Sequence, residues 1–151
     1  MKKIILAIIA GIIPLVLPAA STDFWFRHFS VEDGLSSNSV RAIMQDKYGF
    51  MWLGTDDGLN RYDGTTIKVY NLNPQGSNDY ISSLYDTTDN IWVGTEGGVY
   101  IFDYETESFE LFKVLTAQGD SIKSNVNHIA EDRDGNLWFS TVGQGIFKYN
   151  I

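Results

Sequence analysis

The sequence contains no cysteine, which excludes disulfides, thiolate metal sites and a lipid attached to a processed N-terminal cysteine. Basic residues are also scarce, with eleven Lys and Arg against nineteen Asp and Glu and a formal net charge of −8 at pH 7. Such a chain repels nucleic-acid phosphates and anionic membranes, so we expect no nucleic-acid partner. Since 44% of its residues are hydrophobic and 20% charged, a globular domain held by packing is expected.

Long hydrophobic runs are absent except for one at the N-terminus, from Ile4 to Ala20, which follows Lys2 and Lys3. A basic start, an apolar stretch and a small-residue end predict a signal peptide over 1–21 and an exported, periplasmic domain over 22–151. An uncleaved N-terminal anchor is the alternative, because seventeen apolar residues lie at the lower edge of a membrane span. Prolines and small residues favour cleavage near the end of the run: Pro14, Pro18, Ala19, Ala20 and Ser21.

Catalytic and metal-binding motifs are also missing. The only histidines are His28 and His128, and the chain has no Ser/His/Asp arrangement, metal-spaced cluster or phosphate loop. The stretch "DRDGN" (132–136) resembles a calcium loop, but the positions that should carry glycine and a final carboxylate hold Leu137 and Gly143. We therefore interpret it as a hairpin turn, expect His128 at a packed interface, and predict no enzymatic activity, cofactor or metal.

What the sequence does contain is a motif written three times. "MWLGTDDGLNRYDG" (51–64) returns as "IWVGTEGGVYIFDY" (91–104) and as "LWFSTVGQGIFKYN" (137–150). The tryptophans are forty and forty-six residues apart, a period typical of propellers and solenoids. The repeated structural positions are three Trp, two Gly after them and three turn Gly: Trp52, Trp92, Trp138, Gly54, Gly94, Gly58, Gly98 and Gly145.

Short segments rich in Val, Ile, Thr and aromatics, separated by Gly, Asp and Asn, predict strands and turns without helices. Each repeat divides into four strands, which we call A to D; in the first repeat they lie near 40–45, 50–54, 59–62 and 66–70. The prediction is an all-β fold of four-stranded antiparallel β-propeller blades. About three blades are expected, in an incomplete or oligomerising propeller. Their bounds are a closing strand at 24–29, blade one at 38–72, blade two at 80–114, and blade three at 125–151 without its last strand.

The stretch "FSVEDGLSSNSVRAIMQDKYGFMWLGTDDGLNRYDG" (29–64) resembles the first repeat of the two-component regulator propeller family. The resemblance extends over essentially all of 24–151 and rests on "DGLSSN", "FMWLGTDDGL" and "RYDG" occurring in order. It implies the N-terminal fragment of a periplasmic sensor from a Bacteroides-type hybrid histidine kinase. Such a sensor recognises an oligosaccharide and signals to a cytoplasmic kinase that controls transcription. The missing blades of the same protein, or a second copy of the chain, are the expected partners.

The repeats differ most in the turns between strands B and C, which read "TDDG", "TEGG" and "TVGQG". Variable polar loops on a rigid scaffold are where ligand contacts usually lie. The predicted ligand-binding residues are four polar turn residues and two arginines behind them: Asp56, Asp57, Glu96, Gln144, Arg41 and Arg61. Solvated turns without a ligand are the alternative interpretation.

Two other functions remain open at this stage. A propeller-fold glycan-active enzyme, lyase-like or sialidase-like, would need convergent carboxylates, a nucleophilic Tyr or a metal near the channel. A structural module would instead close as a six-bladed homodimer, because three blades are fewer than the four to eight of ordinary propellers.

Overall fold

The computed structural model describes residues 25–72, 79–113, 119 and 121–150. The predicted signal peptide lies outside these residues. Within them the chain forms eleven strands and one short 3-10 helix, Val31–Asp33. No helix in the described part of the chain is long and apolar enough to cross a membrane.

The strands form three separate antiparallel sheets, each in sequence order. Sheet one contains β1 (Val40–Gln45), β2 (Met51–Thr55), β3 (Gly58–Tyr62) and β4 (Ile67–Tyr70). Sheet two contains β5 (Ile81–Asp86), β6 (Ile91–Thr95), β7 (Gly98–Asp103) and β8 (Ser108–Leu111). Sheet three contains β9 (Val126–Glu131), β10 (Leu137–Thr141) and β11 (Gly145–Tyr149). The prediction of an all-β fold made of propeller blades is therefore confirmed. Residues 25–30 form no strand, so the closing strand at 24–29 stays a prediction.

The same hydrogen bond closes the turn between strands B and C in all three sheets. The hydroxyls of Thr55, Thr95 and Thr141 donate to the carbonyl oxygens of Gly58, Gly98 and Gly145 at 2.9, 2.9 and 2.8 Å. These glycines have φ of 116°, 138° and 78°, a backbone region that residues with a Cβ rarely adopt. The recurring Thr and Gly are thus a local requirement of the turn.

The core lies between the sheets rather than within any one of them. One cluster joins Trp52 and Leu59 of sheet one to Ile81 and Phe102 of sheet two. A second joins Trp92 of sheet two to neighbours on sheet three, Val126, Ile129, Leu137 and Phe139. Trp52 and Trp92 are therefore each buried by the sheet that follows their own.

Two sequence expectations on packing need correction. Trp138 was predicted to be structurally equivalent to the other two tryptophans, but it is 39% exposed, because no described residue lies beyond sheet three to cover it. His128 is exposed and not at a packed interface; it lies in β9 opposite Ser140 of the same sheet.

The turn between strands A and B holds the tryptophan of its sheet through a carboxylate. Asp46 accepts the N–H of Trp52 Nε1 at 2.7 Å, and Asp132 accepts that of Trp138 Nε1 at 2.9 Å. Asp132 also accepts the backbone N–H of Asp134 and Asn136 at 3.0 and 2.9 Å. These bonds confirm that "DRDGN" is a hairpin turn built around its first carboxylate.

Acid is expected to weaken the blade-three turn. The hydrogen bonds to Asp132, above all that from Trp138, hold the pKa of its carboxyl well below the usual value. A lowered folded-state pKa means that the carboxylate stabilises the fold above its unfolded pKa, and that this contribution is lost as the pH falls through the folded pKa. The thermal midpoint, followed by circular dichroism, should therefore decrease as the pH is lowered below about 4. In the Asp132→Asn variant this decrease should be smaller, and an identical pH dependence would contradict the assignment.

Candidate functional site

The B–C turns of the three sheets lie along one rim, which we call the B–C rim (residues 55–58, 95–98 and 141–145). In each sheet the residue after the turn threonine donates its N–H to the carbonyl that precedes strand A. The pairs are Asp56 to Ser39 at 3.1 Å, Glu96 to Tyr80 at 3.3 Å and Val142 to Asn125 at 2.9 Å. The turns are thus fixed to the sheets in a common orientation.

Two of the predicted residues form a pair at the B–C rim, Arg41 of β1 and Asp56 of the turn. Arg41 Nε donates to Asp56 Oδ1 at 2.6 Å and its terminal nitrogen donates to Oδ2 at 3.2 Å. This forked pair lowers the pKa of Asp56 and raises that of Arg41, chiefly through their mutual hydrogen bond. Both groups are partly exposed, so they present a guanidinium and a carboxylate side by side.

Tyr80 joins this pair and was not predicted from the sequence. The guanidinium carbon of Arg41 lies 5.1 Å from the centre of the Tyr80 ring, within the range of a cation–π contact. Tyr80 precedes strand A of blade two, where the other repeats carry Ser39 and Asn125. An aromatic at a position that is otherwise small or polar was the available signal.

The other predicted turn residues differ in how free they are. Asp57 and Glu96 are exposed at the tips of their turns. Gln144 accepts the N–H of Lys123 at 2.9 Å and donates to the carbonyl of Ser121 at 3.1 Å. Its amide therefore holds the preceding loop in place, whereas the Asp57 and Glu96 carboxylates face solvent.

The structure places Arg61 away from the B–C rim. Its guanidinium pairs with Glu107 of sheet two at 2.9 Å. The guanidinium carbon lies 4.8, 5.7 and 5.6 Å from the ring centres of Phe50, Trp52 and Tyr70. Arg61 is opposite Trp52 in β3, so strand alternation directs its side chain to the interface between sheets. Arg61 thus links sheets one and two and contributes no group to the rim.

Metal binding has no support from the described ranges, in which no three His, Asp or Glu side chains are arranged to hold an ion. The B–C rim offers three carboxylates, and the adjoining Arg41 and Tyr80 add a guanidinium and an aromatic ring. Such a set can donate to and accept from hydroxyl groups, and its ring can cover the C–H face of a ligand.

Comparisons with known proteins agree with the fold. The family model of the two-component regulator propeller matches residues 34–57 and 121–143. The histidine kinase P4 of Formosa agariphila is 46% identical over 70 residues, which make up 46% of this chain and 5% of that protein.

Solved structures show the same architecture. The extracellular domain of a hybrid two-component system from B. thetaiotaomicron is 32% identical with a TM-score of 0.71, over 83% of this chain and 19% of that one. That of a one-component system from the same bacterium is 27% identical with a TM-score of 0.58, over 74% of this chain and 16% of that one. The chain thus spans less than a fifth of either domain.

The family matches coincide with structural units. Residues 34–57 cover strands A and B and the start of the B–C turn in sheet one, and residues 121–143 cover the same elements of sheet three. Sheet two, between them, repeats their register. Two of the three sheets therefore match the two-component regulator propeller family, which confirms the resemblance seen in the sequence.

Proposed function

We propose that the chain is the N-terminal part of a periplasmic sensor whose B–C rim takes part in binding an oligosaccharide. The observation that carries this proposal is the cluster of Arg41, Asp56 and Tyr80 at the B–C turn of sheet one, which is hydrogen-bonded to the residue before strand A. A guanidinium beside a carboxylate can bond two neighbouring hydroxyls of a sugar, and the tyrosine ring can stack on its apolar face. The exposed carboxylates of Asp57 and Glu96 extend the same surface.

In the whole protein, binding would be coupled to a kinase on the other side of the membrane. A ligand shifts such an equilibrium only by the difference between its affinities for the two states. A rim shared between neighbouring blades suits this purpose, because a ligand that bridges two blades is sensitive to their relative position. The similarity to the histidine kinase P4 of Formosa agariphila supports coupling to a kinase. We propose no enzymatic activity for the present chain itself.

The rim is expected to lose ligand affinity when its pair of charges is removed. Arg41→Ala and Asp56→Asn should each weaken binding of a recognised oligosaccharide by about tenfold or more, since a hydrogen bond to a charged group contributes about 1.5–3 kcal/mol. Calorimetry with the exported protein, after a screen of plant and algal oligosaccharides, measures this loss.

A matched control is Arg133→Ala, which removes an exposed arginine from the A–B turn of blade three, on the opposite rim. This variant should bind as the unmodified protein does. Unchanged affinity in both rim variants would remove the rim from the proposal. Appearance of shorter sugars during the incubation would instead favour the glycan-active enzyme.

Apolar side chains at both ends of the sheet array also need a partner. Ile43 of sheet one is 67% exposed and Ile146 of sheet three is 69% exposed. In sheet three the residue equivalent to Ile43 is Ile129, and it is buried. We propose that further blades of the same protein, or a second copy of the chain, cover these faces. Light scattering on the exported chain separates a monodisperse dimer from a monomer.

A further inference from the structure

A groove of about 400 Å³ lies between sheets two and three, at the rim opposite to the B–C turns. Its volume is within the range of roughly 300–1,000 Å³ of small-molecule sites. One wall is the A–B turn of blade two, Thr87–Asn90, with Trp92, Ile101 and Phe112 beside it. The other wall belongs to blade three and contains Glu131, Asp134, Gly135 and Tyr149.

At the corresponding place between sheets one and two, the chain's own polar groups form hydrogen bonds across the interface. Lys47 donates its backbone N–H to Asp86 Oδ2 at 3.0 Å and its ammonium to the carbonyl of Thr88. Tyr104 donates its hydroxyl to Asp46 at 3.2 Å and packs against Tyr48 with ring centres 4.9 Å apart. At this first interface a cation, hydroxyls and aromatic rings thus lie between the turns, beside a smaller cavity of about 290 Å³.

The groove between sheets two and three has no such cation. Carboxylates of Asp89, Glu131 and Asp134 line it, and no Lys or Arg is among its described lining residues. Tyr85 donates its hydroxyl to Glu131 at 3.1 Å, which leaves this carboxylate able to accept further bonds. Phe112 and Tyr149, whose ring centres are 5.0 Å apart, provide an aromatic surface beside the acidic groups.

A second, independent feature is the unpaired indole N–H of Trp92. The side chain is 4% exposed, and its Nε1 has no hydrogen-bond partner. Trp92 has the register of Trp52 and Trp138, whose N–H groups are directed at the carboxylate in the A–B turn. Trp92 lines the groove beside its own A–B turn, so this unpaired indole is part of the groove wall.

The missing acceptor follows from the sequence of this turn. The turn of blade two is one residue shorter, and Thr87 occupies the place of Asp46. The Thr87 hydroxyl is used within the turn, where it donates to the carbonyl of Asn90 at 2.9 Å and accepts its N–H at 3.2 Å. An indole N–H left unpaired in a buried position is destabilising, so a ligand that supplies an acceptor would be favoured here.

We propose that this groove is a second carbohydrate-binding site, and that it selects uncharged sugars over uronic acids and sulfated sugars. A hydroxyl group can both accept from the Trp92 N–H and donate to a carboxylate, and the C–H face of a sugar ring can lie on Phe112 and Tyr149. The carboxylates of Asp89, Glu131 and Asp134 repel an anionic ligand. The site lies on the rim opposite to Arg41 and Asp56 and does not depend on them.

The test uses the full chain labelled with 5-fluorotryptophan and observed by fluorine NMR. The four resonances are assigned with single Trp→Phe variants. Cellotetraose and maltotetraose are the uncharged probes, and tetragalacturonic acid is the anionic probe. We expect an uncharged probe to shift the Trp92 resonance, and tetragalacturonic acid to leave it in place.

Variants separate the groove from the rim and from a merely structural role. Glu131→Gln should lower the affinity for the uncharged probe about tenfold. It should also allow tetragalacturonic acid to bind, a gain that loss of structure would not produce. Glu105→Gln, an exposed carboxylate near the other interface, is the matched control and should retain the selectivity. The proposal is overturned if neither uncharged probe shifts the Trp92 resonance, or if tetragalacturonic acid binds as tightly as the uncharged probes. It is also overturned if Arg41→Ala loses the Trp92 shift caused by the uncharged probe while Glu131→Gln keeps it.

Discussion

Replacing Trp52 with alanine is expected to lower the free energy of unfolding by about 3–5 kcal/mol. The indole is completely buried and lies 4.9 Å from the ring of Phe102 in the next sheet and 5.6 Å from that of Tyr70. Its loss would leave a cavity at the interface between sheets and remove the donor to Asp46. Urea denaturation followed by circular dichroism measures the change.

The control for Trp52→Ala is the same substitution at Trp138, the equivalent position of sheet three. Trp138 also donates to a turn carboxylate, but it is partly exposed, and no further sheet of the described residues packs against it. Trp138→Ala should therefore lower the free energy of unfolding by less than about 2 kcal/mol. Equal losses at the two positions would show that the tryptophan acts within its own sheet, contrary to the packing described above.

The second large effect is expected from Gly54→Ala. A Cβ at this position would lie 2.5 Å from Ile81 Cγ2 and 3.0 Å from Ile81 Cβ in the next sheet. One added methyl group should therefore push the two sheets apart and destabilise the fold by about 1–3 kcal/mol or more. The same urea titration, compared with the unmodified protein, measures this effect.

Two further variants make the interpretation specific. Gly97→Ala adds its Cβ where no atom lies within 4 Å, so it should change stability by less than about 0.5 kcal/mol. Gly54→Ala should also be less harmful in an Ile81→Ala background, because the clashing Cγ2 is then absent. Strictly additive losses would contradict a contact between these two residues.

Most of the fold could be predicted from the sequence, because the information is local and repeated. Strand A of blade one was predicted near 40–45 and is β1, Val40–Gln45, and the other three strands of that blade agree within one residue at each end. Turn glycines and threonines mark their positions through backbone geometry alone. Three copies of the same pattern make each assignment consistent with the others.

The site was less predictable than the fold. The turn positions of Asp56, Asp57 and Glu96 follow from the repeat, and their place on one rim follows from the propeller blade. Arg61 was grouped with them by its closeness in sequence to the turn, although strand alternation carries its side chain to the sheet interface. Tyr80 was missed because its role depends on Arg41, a residue of another sheet.

The sequence by itself determined the period, the strand order, the turn chemistry and the acidic character of this protein, since each depends on neighbouring residues or on composition. Only the tertiary structure decided which copies of a repeated residue are equivalent in environment. Trp52 is buried with a bonded N–H, Trp92 is buried with an unpaired one, and Trp138 is bonded but exposed. The difference arises because burial comes from the following sheet and the acceptor from the A–B turn, two partners that the repeat of the tryptophan does not specify.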